Sequence, residues 1–228
     1  MYAIAIDGPA ASGKGAVSDR LSEKLGILHL NSGALYRAVA YFAIKNNISF
    51  DDLDLIYKEI QSHSIDIDYK DGKQLTLLDG VDVTPHLYTS EATVGSAKVS
   101  KHPDIRKFVL HAQLKVANSQ SLVLEGRDIT SVVLPNAKYK FYLDANQEIR
   151  IQRRLKDYKK RGENLTYEEV KEMMILRDDA DFNRPVSPLV RVPDAIYIDG
   201  SNMTVDEVVE KILGYIEEYK WFLQYVLF

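Results

Sequence analysis

The stretch Gly8-Pro9-Ala10-Ala11-Ser12-Gly13-Lys14 constrains this chain more than any other. The residues before it, Ala3-Ile4-Ala5-Ile6, are short, apolar and partly β-branched, as a buried parallel strand should be. Those after it predict a helix over Ala16 to Leu25, with Val17, Leu21 and Leu25 on one face and Gly26 as its stop. Strand, Gly-rich loop, Lys and helix is the context that gives a P-loop match its meaning, against the competing reading of an ordinary tight turn. Gly at both ends of the loop lets backbone N–H groups turn inward to cradle phosphate oxygens. The helix N-terminus adds partial positive charge, and Lys14 adds a full one suited to β- and γ-phosphates. As a loop side chain, Lys14 is expected to be exposed. The nucleotide-binding segment is therefore Gly8 to Ala16, with Gly15 included. The pattern asks for Ser or Thr directly after the Lys to ligate Mg²⁺. Gly15 and Ala16 stand there instead, and the nearest hydroxyls are Ser12 and Ser18.

The chain has 228 residues, enough for one large domain or a core with an insertion. A net charge of −4 argues against a general nucleic-acid surface. With no cysteine there are no disulfides or thiolate metal sites, as suits a reducing compartment. No apolar run reaches membrane-spanning length, and no basic-then-apolar leader precedes the first strand. The expectation is a cytoplasmic monomer with no membrane or nucleic-acid partner.

Ile27-Leu28-His29-Leu30 predicts a second strand and Ala34 to Lys45 a second helix, so the core is a parallel α/β sheet. Asp51 to Gln61 predicts a further helix. The period then changes: Ile65-Asp66-Ile67-Asp68-Tyr69 alternates, Asp71-Gly72 turns, and Leu75-Thr76-Leu77 pairs back. Asp79-Gly80 turns again into Val81-Asp82-Val83. This antiparallel meander interrupts a parallel fold and is read as an insertion over about 65–101. The core pattern resumes with a helix over Asp104 to Asn118 and a strand, Leu122-Val123-Leu124, that ends in Glu125 as a Walker B acid would. A strand over Tyr139 to Leu143, helices from Asn146 and after Thr166, a strand over Ala195 to Ile198 and a helix after Thr204 follow, both threonines opening capping boxes. The apolar tail from Trp221 to Phe228 is expected to pack on the body.

Arg150, Arg153 and Arg154 share one helix face, with Arg161 one to two turns later. On an ordinary helix these would be a solvated face. Downstream of a P-loop they suit the charge spread over a moving phosphoryl group, and a planar guanidinium can hold two phosphate oxygens. Arg177 to Arg184 packs five charges into eight residues, readable either as a salt-bridged helix end or as carboxylates and guanidiniums of a site. The five histidines show no metal-ligand spacing, and core or surface roles are assigned to each.

Asp7 with the P-loop, Asn31-Ser32-Gly33-Ala34-Leu35-Tyr36-Arg37, Glu125-Gly126-Arg127-Asp128 and Arg177 to Arg184 follow one another as in bacterial cytidylate (CMP) kinases, and the chain resembles that family over nearly its whole length. The resemblance implies a parallel five-stranded P-loop core over about 1–38 and 102–228. It also implies a monophosphate-binding insertion over about 39–101 with a small three-stranded sheet, and a short lid over about 153–166. The implied reaction joins ATP, with Mg²⁺, to CMP or dCMP, giving ADP and the diphosphate. By resemblance, Ser32, Tyr36, Arg37, Arg106 and Arg127 line the CMP site together with Asp128, Arg177, Asp181 and Arg184. Arg37 and Arg127 would hold its phosphate, while Lys14, Arg127, Arg153 and Arg154 form the catalytic set. Mg²⁺ would be held mostly through water, with Glu125 or Asp7 behind it. Ala97 stands where a base-contacting Ser is common in the family, Thr130 where Gly is usual, and Glu125 where Asp is frequent. Two further readings stay open on the residues alone: a different P-loop small-molecule or nucleotide kinase, and a degenerate nucleotide-binding paralogue with a regulatory role.

Overall fold

The computed structural model describes residues 1–217; the apolar tail from Trp221 lies outside the described residues. Five strands form the core sheet: β1 (Ala3–Asp7), β2 (Leu28–Asn31), β6 (Leu122–Gly126), β7 (Tyr139–Asp144) and β8 (Ile196–Asp199). Their order is β2-β6-β1-β7-β8, and every neighbouring pair is parallel. Side chains alternate across β1. Ile4 and Ile6 meet α1 (Lys14–Leu25) and α8 (Val205–Leu213) through Val17, Leu21, Val208 and Ile212. Ala5 faces the opposite core, built on α2 (Ser32–Lys45) and α5 (Pro103–Ala117).

The second sheet is antiparallel: β3 (Ile65–Lys70), β4 (Lys73–Leu78) and β5 (Val81–Asp82). Asp71 and Gly72 have φ of 52° and 74°, and Asp79 and Gly80 have 52° and 77°, the doubly left-handed geometry that two-residue hairpins require. The expected third strand is shorter than Val81 to Val83, because a single 3₁₀ turn follows over Thr84–His86. This sheet is tied to the core where Asn31 N–H donates to Gln74 Oε1 at 2.7 Å.

One helix of the insertion is not foreshadowed by the residue pattern: α4 (Ser90–Val99), capped by Thr89, whose hydroxyl accepts from Ala92 N–H at 3.1 Å. It packs closely on α2, and a Cβ at Gly95 would stand 2.9 Å from that of Ala40 and 2.3 Å from the Phe50 ring. Only glycine permits this approach. The remaining α-helices are α3 (Leu53–Ile60), α6 (Gln147–Lys160) and α7 (Tyr167–Asn183), the last opened by the expected capping box of Thr166 and Glu169, and a short π-helical segment spans Ile129–Val133. Helix α1 begins at Lys14, two residues before the expected start, which places the lysine in the first turn.

Candidate active site

One cleft of about 660 Å³ runs between the P-loop, the N-terminus of α2, the loop after β6, and helices α6 and α7. Both α1 and α2 point their N-termini into it, so two sets of unpaired N–H groups face the same space.

The P-loop is locked from behind. Gly8 has φ 151°, and a Cβ there would stand 1.9 Å from the carbonyl oxygen of Leu143, so β7 leaves room only for glycine. Lys14 is not exposed. It is 5% accessible, and its Nζ donates to the carbonyls of Gly8 (2.7 Å) and Pro9 (2.8 Å) and to Ser12 Oγ (3.2 Å). Burial, reinforced by the Arg127 charge, pulls its pKa down to about 7. Ala11 to Ala16 line the cleft, whereas Gly8, Pro9 and Ala10 do not; their carbonyls anchor cations instead.

The aligned arginines of α6 separate into distinct roles. Arg150 is buried, donating to the carbonyls of Ala145 (3.0 Å) and Ala10 (3.2 Å) and pairing with Asp178 at 2.5 Å. It ties the P-loop to α7 and does not reach the cleft. Arg153 lines the cleft and clasps its rim, donating to Ser12 O (3.0 Å) and Gly200 O (2.7 Å). Arg154 also lines the cleft, its guanidinium 5.9 Å from the Tyr158 ring centre. Arg161, past the end of α6, donates to Tyr88 O at 3.3 Å and lies over its ring, which Arg37 faces at 5.2 Å.

The far end of the cleft is a lattice of guanidiniums around two carboxylates. Asp181 accepts from Arg127 Nε (2.8 Å) and Arg177 Nε (3.1 Å) and lies 3.9 Å from Arg184. Burial would raise its pKa, but Arg177 and Arg127 outweigh it and hold the carboxyl well below the usual range. Asp128 pairs with Arg106 and stands 3.8 Å from Arg184. Arg106 also donates to Ser100 O (3.0 Å) and lies over the Tyr36 ring. Ser32, Tyr36, Arg37, Arg127, Asp128, Arg177 and Arg184 line the cleft, whereas Arg106 and Asp181 sit behind that wall. Burial, with Arg177, Arg154 and Arg127 nearby, brings Arg37 down to about 10, although Tyr88 opposes the shift. Its Nε is buried without a hydrogen-bond partner. Such a set has more cation than the two carboxylates neutralise, and an anionic ligand would complete it.

Asp7 does not face the cleft. Its carboxylate accepts from Ile129 N (2.9 Å), Thr130 N (2.7 Å) and Thr130 Oγ1 (2.6 Å), which fixes the turn after Asp128 and occupies the hydroxyl at position 130. Glu125 does line the cleft. Burial would raise its pKa, but His29 and Lys14 outweigh that and hold it below the ordinary range. His29 is pulled down by burial, yet Asp19 and Glu125 together push it up to about 9.

Several lining groups escape the sequence pattern. Ser96, whose Oγ accepts from Arg177 at 3.3 Å, lies on α4, and Ser100, four residues on, caps its C-terminus; the helix has to be seen before their shared face can be. Tyr88 carries no motif. The contact of His29 with Glu125 bridges two strands that are neighbours only in the folded sheet.

The family model for cytidylate kinase matches residues 4–218. The chain belongs to the cytidylate kinase family. It is 40% identical over 221 residues to the cytidylate kinase of Thermotoga maritima, covering 95% of this chain and 97% of that one. With the cytidylate kinase of Desulforamulus reducens it shares 41% identity over 218 residues, again 95% and 97% of the two chains. Among solved structures, an uncharacterized protein from Eubacterium ventriosum superposes with a TM-score of 0.52 at 14% identity, covering 95% of this chain and 99% of that one, a likeness of fold alone. Among the described residues no helix is long and apolar enough to cross a membrane.

Proposed function

We propose that this kinase transfers the γ-phosphoryl group of ATP to CMP or dCMP, giving ADP and CDP or dCDP. The observation that carries this reading is one cleft with two cationic ends: the P-loop with Lys14, and the arginines caged by Asp128 and Asp181. ATP would lie along Ala11 to Ala16, with Lys14 exchanging its carbonyl partners for β- and γ-phosphate oxygens. Arg37 and Arg127 would hold the acceptor phosphate, with Arg177 beside them. Asp128, backed by Arg106 and Arg184, would accept a hydrogen bond from the cytosine amino group and repel the uracil carbonyl. The acceptor's own phosphate oxygen is the nucleophile, so no side-chain base is required. The new O–P bond forms at the γ-phosphorus as the bridge to the β-phosphate breaks, and ADP departs with that electron pair. Arg153 and Arg154 would neutralise charge on the moving group, from a lid over about 153–166 facing an insertion over about 39–101.

Among the described residues no group of three His, Asp or Glu side chains forms an all-protein metal cage. The donor set, Glu125 beside Gly15 with nucleotide phosphates, fits Mg²⁺ as that ion is usually held, by few carboxylates, substrate oxygens and water. Glu125 would act through water; Asp7 is already occupied. When bound, the ion supplies charge neutralisation on the phosphates. A cytoplasmic monomer remains the reading of the composition.

The test is coupled ADP release with CMP, dCMP, UMP and AMP at several Mg²⁺ concentrations. ADP release with CMP and dCMP well above that with UMP and AMP is expected. Equal rates on all four would overturn the base assignment, and no release at any Mg²⁺ level would overturn the kinase reading.

A further inference from the structure

His29 is enclosed, with 9% of its side chain accessible, and both ring nitrogens face carboxylates. Nδ1 lies 2.6 Å from Asp19 Oδ1 on α1. Nε2 lies 3.6 Å from Glu125 Oε1 and has no hydrogen-bond partner, so it is within ion-pair range and a small movement away from a hydrogen bond. Asp19 is one helical turn beyond Gly15, and a Cβ on Gly15 would stand 3.3 Å from the same Glu125 Oε1. Helix α1 and strand β2 thus wall one oxygen of Glu125 from two sides. A further buried polar atom without a partner, Ser18 Oγ, lies on the same turn of α1. Among the described residues no hydrogen bond or ion pair joins these groups to the acceptor arginines, although the Arg127 charge acts on Glu125.

We propose that His29, held by Asp19, is the positioning residue of Glu125: it pins Oε1 against α1 and leaves Oε2 to organise the water around nucleotide-bound Mg²⁺, the work for which positions 15 and 16 carry no hydroxyl. This rests on the reading of Glu125 given above. A ring fixed at one nitrogen by a carboxylate can hold a single orientation at the other, which is how outer partners set the geometry of groups that organise metal ions. Glycine at 15 is part of the same arrangement, since it lets the carboxylate lie against the helix.

The test uses His29→Phe, His29→Gln, Asp19→Asn, Glu125→Gln and the His29→Phe/Glu125→Gln pair in the full chain. Rate is followed against free Mg²⁺ at saturating ATP and CMP, and calorimetric ATP affinity is measured with and without Mg²⁺. His29→Phe is expected to raise the half-saturating Mg²⁺ about tenfold and to shrink the Mg²⁺-dependent gain in ATP affinity alike, leaving KM for CMP unchanged. His29→Gln, which keeps a donor, should recover part of the shift. Asp19→Asn should shift it less, in the same direction, and the pair should behave as Glu125→Gln alone. If Glu125→Gln moves both readouts while His29→Phe and Asp19→Asn move neither, or if the shifts in the pair simply add, the role of His29 is overturned and that of Glu125 stands. If Glu125→Gln moves neither readout, the reading of Glu125 falls and this proposal with it. Should His29→Phe lose its cooperative melting transition, Asp19→Asn decides, because Asp19 is 70% exposed; an unchanged Mg²⁺ response there overturns the proposal.

Discussion

At the P-loop end of the cleft Lys14 gives its hydrogen bonds to two backbone carbonyls and a hydroxyl, and burial draws its pKa towards neutrality. At the arginine-rich end Arg127, Arg177 and Arg184 surround one carboxylate, and burial there is outweighed by opposite charge. A cation held by neutral dipoles is free to exchange them for a better anion, at little cost to the fold. Cations held by a buried carboxylate are pre-aimed, and the fold depends on the pairing. The comparison teaches that the two ends respond differently to mutation: one through chemistry, the other through stability first.

The largest expected effect lies at the P-loop. Lys14→Ala should lower kcat/KM by about a thousandfold or more, while the unfolding free energy read by urea denaturation changes by no more than about 1 kcal/mol. A mutant that turns over normally breaks the P-loop half of the comparison. Asp181→Asn tests the other half. Leaving three guanidiniums short of a buried partner should cost about 3 kcal/mol at pH 7, read by urea denaturation. The sign with pH follows from the carboxyl being held below its ordinary range. Its contribution is fully present above about pH 4, the unfolded value, and fades as pH falls below that, so the two stability curves should converge in acid. A constant gap down to pH 2 would show that packing, not charge, is what the aspartate supplies.

Asp128→Asn should have a narrower effect, reducing the CMP-over-UMP ratio of kcat/KM by about tenfold or more. The ratio is the readout because loss of the Arg106 partner lowers stability for both substrates alike. The smallest effect concerns protons. With Lys14 near 7 when empty and fully charged against phosphates, ATP should bind with proton uptake that is slight below pH 7 and approaches one proton near pH 8.5. Calorimetry in buffers of different ionisation enthalpy measures it. Absence of uptake at pH 8.5 would mean that the backbone carbonyls keep the lysine charged.

Much of this was legible from the chain because it is local. The strand, loop and helix around Gly8 to Lys14, the Asp-Gly hairpins and the capping boxes at Thr166 and Thr204 each follow from a few adjacent residues. Helix α4 was not, since Ser90 to Val99 has small residues on both faces and takes its sidedness from α2. Nor could spacing sort the arginines of α6: Arg150 points at Asp178 and Arg153 at Gly200, partners 28 and 47 residues away. The burial of Lys14 depends on carbonyls five and six residues back, aimed inward by the loop.

Asp7 has a mechanical consequence. It ends β1 one residue before the P-loop, and it grips Ile129 and Thr130 just after Asp128, on the loop that leaves the neighbouring strand β6 in register with it. The P-loop and the loop after β6 are thus riveted at their roots, one strand spacing of about 4.8 Å apart. The pitch of the sheet becomes the gauge that sets one end of the cleft against the other. Moving parts above it need only close; they need not measure.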